Sequence, residues 1–93
     1  MQARYEIVYA DRHVEKQLRA LPKDVFKRFD REIERLRANP RSAKVKKLKG
    51  KDAVYELKVW PYRVLFDIDD EIRKVILLEI IHRKDLEKYL KRL

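Results

Sequence analysis

The stretch from Ile72 to Ile81 constrains this chain more than any other. Apolar side chains fill both alternating sets of positions there, so a strand built from it has no solvent face and belongs in the middle of a sheet covered on both sides. Val75 to Ile81, the longest apolar stretch, is broken by Glu79 and falls far short of the roughly 20 residues a membrane-spanning helix needs. With 93 residues the chain can build one such core and no second. A single domain over 1–93 is therefore expected.

The remaining elements fall around that strand. Arg4 to Tyr9 alternates, with Tyr5, Ile7 and Tyr9 on one side, as in a half-buried strand. Asp11 is placed to cap a helix carrying Val14, Leu18 and Leu21, which Pro22 ends while opening the next. That second helix is expected to bury Phe26, Phe29, Ile33 and Leu36, leaving a charged outer face, and to stop at Asn39-Pro40. Two strands follow, joined at a turn near Pro61. In the first, Tyr55, Leu57 and Val59 alternate with Glu56, Lys58 and Trp60; in the second, Tyr62, Val64, Phe66 and Ile68 alternate with Arg63, Leu65 and Asp67. Asp69-Asp70 makes the turn into the last strand, and Leu86, Tyr89, Leu90 and Leu93 recur at helical spacing. The prediction is an α+β fold in the order β-α-α-β-β-β, a mainly antiparallel sheet packed by a helical hairpin, plus a short C-terminal helix.

Charge narrows the function. Lys and Arg number 25 against 16 Asp and Glu, a balance of +9 that favours a polyanionic partner. Lys44, Lys46, Lys47, Lys49 and Lys51 crowd around Gly50, the chain's one glycine, as docking charge for a polyanion such as RNA, DNA, the ribosome or an acidic protein. There is no cysteine, and two histidines with scattered acids make no metal-ligand spacing, so neither a metal nor another cofactor is expected. Serine-nucleophile and phosphate-loop motifs are missing as well. Met1 to Glu6 contains no apolar leader, which predicts a cytoplasmic location without membrane attachment.

Lys58 and Arg63 share the polar parity of two adjacent strands, so a hairpin puts both on one sheet face. Arg83 follows at the exit of the central strand, where it and Lys84 begin the terminal helix. Positive charge at a helix start is mildly unfavourable, and a phosphate meeting the guanidinium and the free N–H groups together would account for it. Tyr89, Trp60 and Tyr62 are aromatic rings near these cations, suited either to packing or to stacking on a single-stranded base, with Trp60 on the exposed parity. His82 is either an acid-base group or simply the end of its strand. A site of Lys and Arg without metal suits RNA, whose own 2′-hydroxyl attacks the adjacent phosphate once a base removes its proton and cations stabilise the phosphorane.

In order and spacing, Leu48-Lys49-Gly50, Tyr55-Glu56-Leu57-Lys58-Val59, Tyr62-Arg63-Val64-Leu65-Phe66 and the ending His82-Arg83-Lys84-Asp85-Leu86-Glu87-Lys88-Tyr89 resemble the RelE toxins of the RelE/ParE superfamily. Those are ribosome-dependent mRNA-cleaving partners of toxin–antitoxin modules. The resemblance implies Lys58 as general base, Arg63 on the scissile phosphate, Arg83 as electrostatic stabiliser or acid, and Tyr89 stacking on an mRNA base. Glu56 stands where the family has its first catalytic lysine, and could pair with a cation or act as base. Trp60-Pro61 replaces the family's glycine-containing turn. The implied partners are the ribosome, mRNA and an acidic RelB-like antitoxin, with the toxin monomeric until the antitoxin joins it in a hetero-oligomer. A ParE-like toxin acting on gyrase and a non-catalytic RNA-binding module are the alternatives.

Overall fold

The computed structural model describes residues 4–42, 44–48 and 54–92, so Gly50, Lys49 and Lys51 lie outside the described residues. The elements run β1 (Glu6–Tyr9), α1 (Arg12–Arg19), α2 (Lys23–Ala38), β2 (Val45–Lys47), β3 (Tyr55–Val59), β4 (Tyr62–Asp69), β5 (Lys74–His82) and α3 (Arg83–Lys91). They form a five-stranded sheet in the order β1-β5-β4-β3-β2, with β1 parallel to β5 and every other pairing antiparallel.

β5 lies between β1 and β4, as its apolar run on both parities requires. Leu57, Val59, Val64, Phe66, Val75, Leu77 and Ile80 point from the sheet to one side, where Val14 of α1 and Val25, Phe29, Ile33 and Leu36 of α2 close the core. Leu65 is fully buried yet stands outside that cluster, on the opposite parity of β4. α3 packs against β4 and β5 on that second face. A register shift at Leu65/Phe66 switches the parity of β5, so that Ile80 faces the same core as Val75 and Leu77.

Local chemistry accounts for the boundaries. Asp11 accepts a hydrogen bond from the Val14 N–H at 3.2 Å and caps α1 as expected. The helix ends at Arg19, ahead of Pro22, which instead caps α2 and accepts from the Phe26 N–H at 2.8 Å. Asp69 Oδ1 accepts from the Glu71 and Ile72 N–H groups at 3.1 and 3.3 Å, fixing the β4–β5 turn.

Several expectations need correction. Phe26 is 42% exposed, and Val25 takes its place in the core. Both fit a helical stripe with Phe29, Ile33 and Leu36, and the packing of α2 against β1 and β3 turns the Val25 side inward. Tyr9 is also exposed at the end of β1, and Ile72 belongs to the turn, with β5 starting only at Lys74. β2 was not anticipated, because two lysines in three residues hide its alternation. Val45 opposite Leu57 shows that it is the edge strand.

Candidate functional site

The β3–β4 hairpin turns at Trp60–Pro61, a cis peptide, and pairs so that Lys58 stands directly opposite Arg63. On its other side Arg63 stands opposite Ile81 of β5. Directly opposed residues share a face, so Lys58, Arg63 and Ile81 form one row across three strands, away from the helical hairpin. The next row is Lys46, Glu56, Leu65 and Glu79. The expectation from strand parity holds for both cations.

β5 passes into α3 without a loop, and this junction delivers Arg83. The Arg83 N–H donates to the Pro61 carbonyl at 2.9 Å, tying the helix start to the hairpin turn. His82 Nδ1 accepts from the Lys84 N–H at 3.1 Å, and the His82 ring meets Tyr62 edge-on at 5.2 Å. Two N–H groups expected to stand free for a phosphate are thus already engaged, and so is one nitrogen of His82. Lys84 itself is exposed in the first turn.

The Arg83 guanidinium lies over the Trp60 ring at 4.6 Å from its centroid, and that of Arg63 lies 5.9 Å from the same ring. Arg63 also donates to the Tyr62 carbonyl at 3.2 Å. The hairpin turn, β4 and the β5–α3 junction therefore converge on one indole. Trp60 is 55% exposed, as its parity predicts. Tyr62 is different: it stands opposite Val59, packs against the core and points away from the cationic row. It is a supporting residue of the fold, not a platform beside Arg63.

Glu56 is buried, with 7% of its surface exposed, and no cation among the described residues comes within ion-pair distance of it. It stands opposite Leu65 and Lys46, in the neighbouring row of the same face as Lys58 and Arg63. The lysine run divides likewise. Lys44 pairs with Glu32 at 3.5 Å, Lys46 shares the face of Glu56, and Lys47 opposes Tyr55 on the other face.

A second polar cluster borders the row. Glu79 sits on β5 beside Leu65, its side chain only 13% exposed, held by His13 Nε2 at 3.2 Å and by the Gln17 amide. Gln17 Oε1 accepts from the Ile80 N–H at 2.9 Å. Tyr89 of α3 is half-buried; burial first, and then the Glu79 charge, push its hydroxyl pKa upward. Glu79 is the residue that sequence reading passed over, although a carboxylate inside an otherwise apolar strand is a visible signal.

Comparison with known proteins agrees with this fold. The family described as the ParE toxin of the type II toxin–antitoxin system parDE matches residues 3–87. The candidate toxin RelE1 of Methanocaldococcus jannaschii is 32% identical over 80 residues, spanning 83% of this chain and 89% of the relative. Among solved structures, the archaeal RelE–RelB complex of Pyrococcus horikoshii OT3 superposes with a TM-score of 0.74 at 25% identity, over 85% of this chain and 94% of that one. An E. coli RelE variant with two arginines replaced by alanine, in the free state, superposes with a TM-score of 0.77 at 23% identity, over 97% and 98% of the two chains, a likeness of fold. The chain belongs to the RelE/ParE superfamily of type II toxin–antitoxin modules, and within it is a RelE-type toxin.

Proposed function

We propose that the chain cleaves mRNA on the ribosome, by attack of the RNA 2′-hydroxyl on the adjacent phosphate without a metal ion. The observation that carries this reading is the row of Lys58 and Arg63 with Arg83 drawn over the same Trp60 ring. Lys58 serves as the proton acceptor for the 2′-hydroxyl, while Arg63 and Arg83 bind the scissile phosphate and neutralise the charge that grows as the phosphorane forms. Arg83 donates the proton that the departing 5′-oxygen takes up. Tyr89 orients the base, and the exposed Lys46, Lys47 and Lys84 with the lysines around Gly50 supply docking charge for ribosomal RNA. Ordinary Lys and Arg side chains are weak acid-base groups at neutral pH, so the ribosome contributes orientation and proton affinity, and naked RNA is cut slowly.

The partner that silences the toxin is an acidic antitoxin, consistent with the +9 balance and with the RelB-bound form of the Pyrococcus relative. The toxin by itself is a cytoplasmic monomer. The match to the ParE family favours one second reading, a toxin that acts on gyrase.

Induction in cells with mapping of mRNA ends separates the two. Cuts inside translated codons, lost in Arg63→Ala and in Arg83→Ala, are expected. Intact mRNA accompanied by gyrase-linked DNA breaks would overturn the nuclease reading in favour of the second.

A further inference from the structure

Arginine is abundant here, and most of its partners are carboxylates. Arg4, Arg19, Arg28, Arg35, Arg37 and Arg41 each lie within ion-pair distance of an Asp or Glu. Among the described residues Arg63 and Arg83 have no such carboxylate, and both face Trp60 instead. The difference is chemical. A carboxylate neutralises a guanidinium and takes up its edge N–H donors. An aromatic ring attracts the flat face of the guanidinium through its quadrupole and leaves the edge donors and the charge available. Two like charges on separate elements also repel, and without a common anchor their long side chains would spread into solvent. One indole, fixed at the hairpin turn whose Pro61 carbonyl holds the Arg83 N–H, supplies that anchor.

We propose that Trp60 is a positioning residue that holds Arg63 and Arg83 as a pair, with the Arg83 edge and the Arg63 donors that the Tyr62 carbonyl does not take left for a single RNA phosphate. The proposal deepens the nuclease reading, but the pairing itself is testable without cleavage. The test compares Trp60→Leu with Trp60→Phe, because leucine keeps apolar bulk and phenylalanine restores a ring face. The ligand is a short single-stranded RNA with 2′-O-methyl sugars, which cannot be cut. In the free protein, the side-chain signals of Arg63 and Arg83 carry a ring-current shift by NMR.

The expected result is that Trp60→Leu abolishes that shift and weakens oligonucleotide binding about 5- to 30-fold, the factor that two exposed cation–π contacts support. Trp60→Phe should recover most of both. In the wild type, the Arg63→Ala and Arg83→Ala effects on affinity should be coupled; in the Trp60→Leu background they should simply add. On translating ribosomes Trp60→Leu should lower the cleavage rate and leave the half-saturating ribosome concentration unchanged.

Arginine signals indifferent to the leucine variant would overturn the proposal. So would weaker binding with the arginine coupling intact, which would make Trp60 a platform for a base. If the oligonucleotide results are as expected while the wild type leaves mRNA whole, the nuclease reading fails and the pairing role stands. Trp60 is the chain's one tryptophan, so a leucine variant that fails to fold leaves a reciprocal measurement. Arg63→Ala and Arg83→Ala should each shift its fluorescence, and unchanged emission in both would again overturn the proposal.

Discussion

Gln17 offers the sharpest test of how the strand carrying the arginine corner is held. The β1–β5 ladder ends at Tyr9 opposite Leu77, with the Ala10 N–H donating to the Leu77 carbonyl. Beyond it, the Ile80 N–H has no strand to meet, and Ile80 is only 3% exposed. The Gln17 side chain substitutes for the missing strand, accepting from Ile80 at 2.9 Å and donating to Glu79. Gln17→Ala therefore leaves a buried N–H unpaired, which costs about 1–3 kcal/mol. Loss of the donor to Glu79 adds about 0.5–1.5 kcal/mol, at the lower end because His13 remains 3.2 Å away. A total near 2–3 kcal/mol lowers Tm by about 8–24 °C in a domain of this size. Thermal unfolding followed by circular dichroism measures the shift, and hydrogen exchange at the Ile80 amide reports the broken bond directly. A fall of less than about 4 °C with Ile80 protection unchanged would refute the reasoning. Gln17→Glu is the control: it keeps an acceptor for Ile80 but sets a second carboxylate against Glu79, so it too should destabilise the protein, less so as pH falls.

Two further outcomes follow from the geometry. Asp70 is bound by both nitrogens of Arg41, at 3.0 and 2.7 Å, and by the Tyr5 hydroxyl at 2.6 Å; the Arg41 hydrogen bonds, and then Tyr5, hold its pKa down at about 2. A depressed carboxylate stabilises the fold above its ordinary pKa of about 3.9 and loses that contribution as pH falls toward 2. The urea midpoints of the wild type and Asp70→Asn should differ at pH 5 and draw together as pH falls toward 2; a constant gap would show that Asp70 acts through packing alone. Glu56→Gln tests the site's departure from its relatives. With Glu56 buried in the neighbouring row and Lys58 as proton acceptor, cleavage should stay within about threefold of wild type, whereas a loss of about 100-fold or more would transfer the base role to Glu56.

Much of the fold was legible because it rests on period and punctuation. The double-sided apolar run of β5 demanded a central strand, Asp11 and Pro22 marked helix boundaries, and opposite parity placed Lys58 and Arg63 together. What escaped depended on context. Val25 and Phe26 are equally good members of a helical stripe, and only the packing of α2 on the sheet chose Val25. β2 carries no readable alternation and exists because β3 offers it an open edge.

The candidate site divides the same way. Sequence by itself determined which cations share a face, since side-chain direction along a strand follows from the pleat. It also located Arg83 at a strand exit, because the helical spacing that begins there leaves no room for a loop. Tertiary structure alone decided that Arg63 and Arg83 meet over Trp60, and that the first N–H groups of α3 are spent on Pro61 and His82. Those are distances between separate elements, set by how the hairpin turn, β5 and α3 pack, and no local periodicity encodes them.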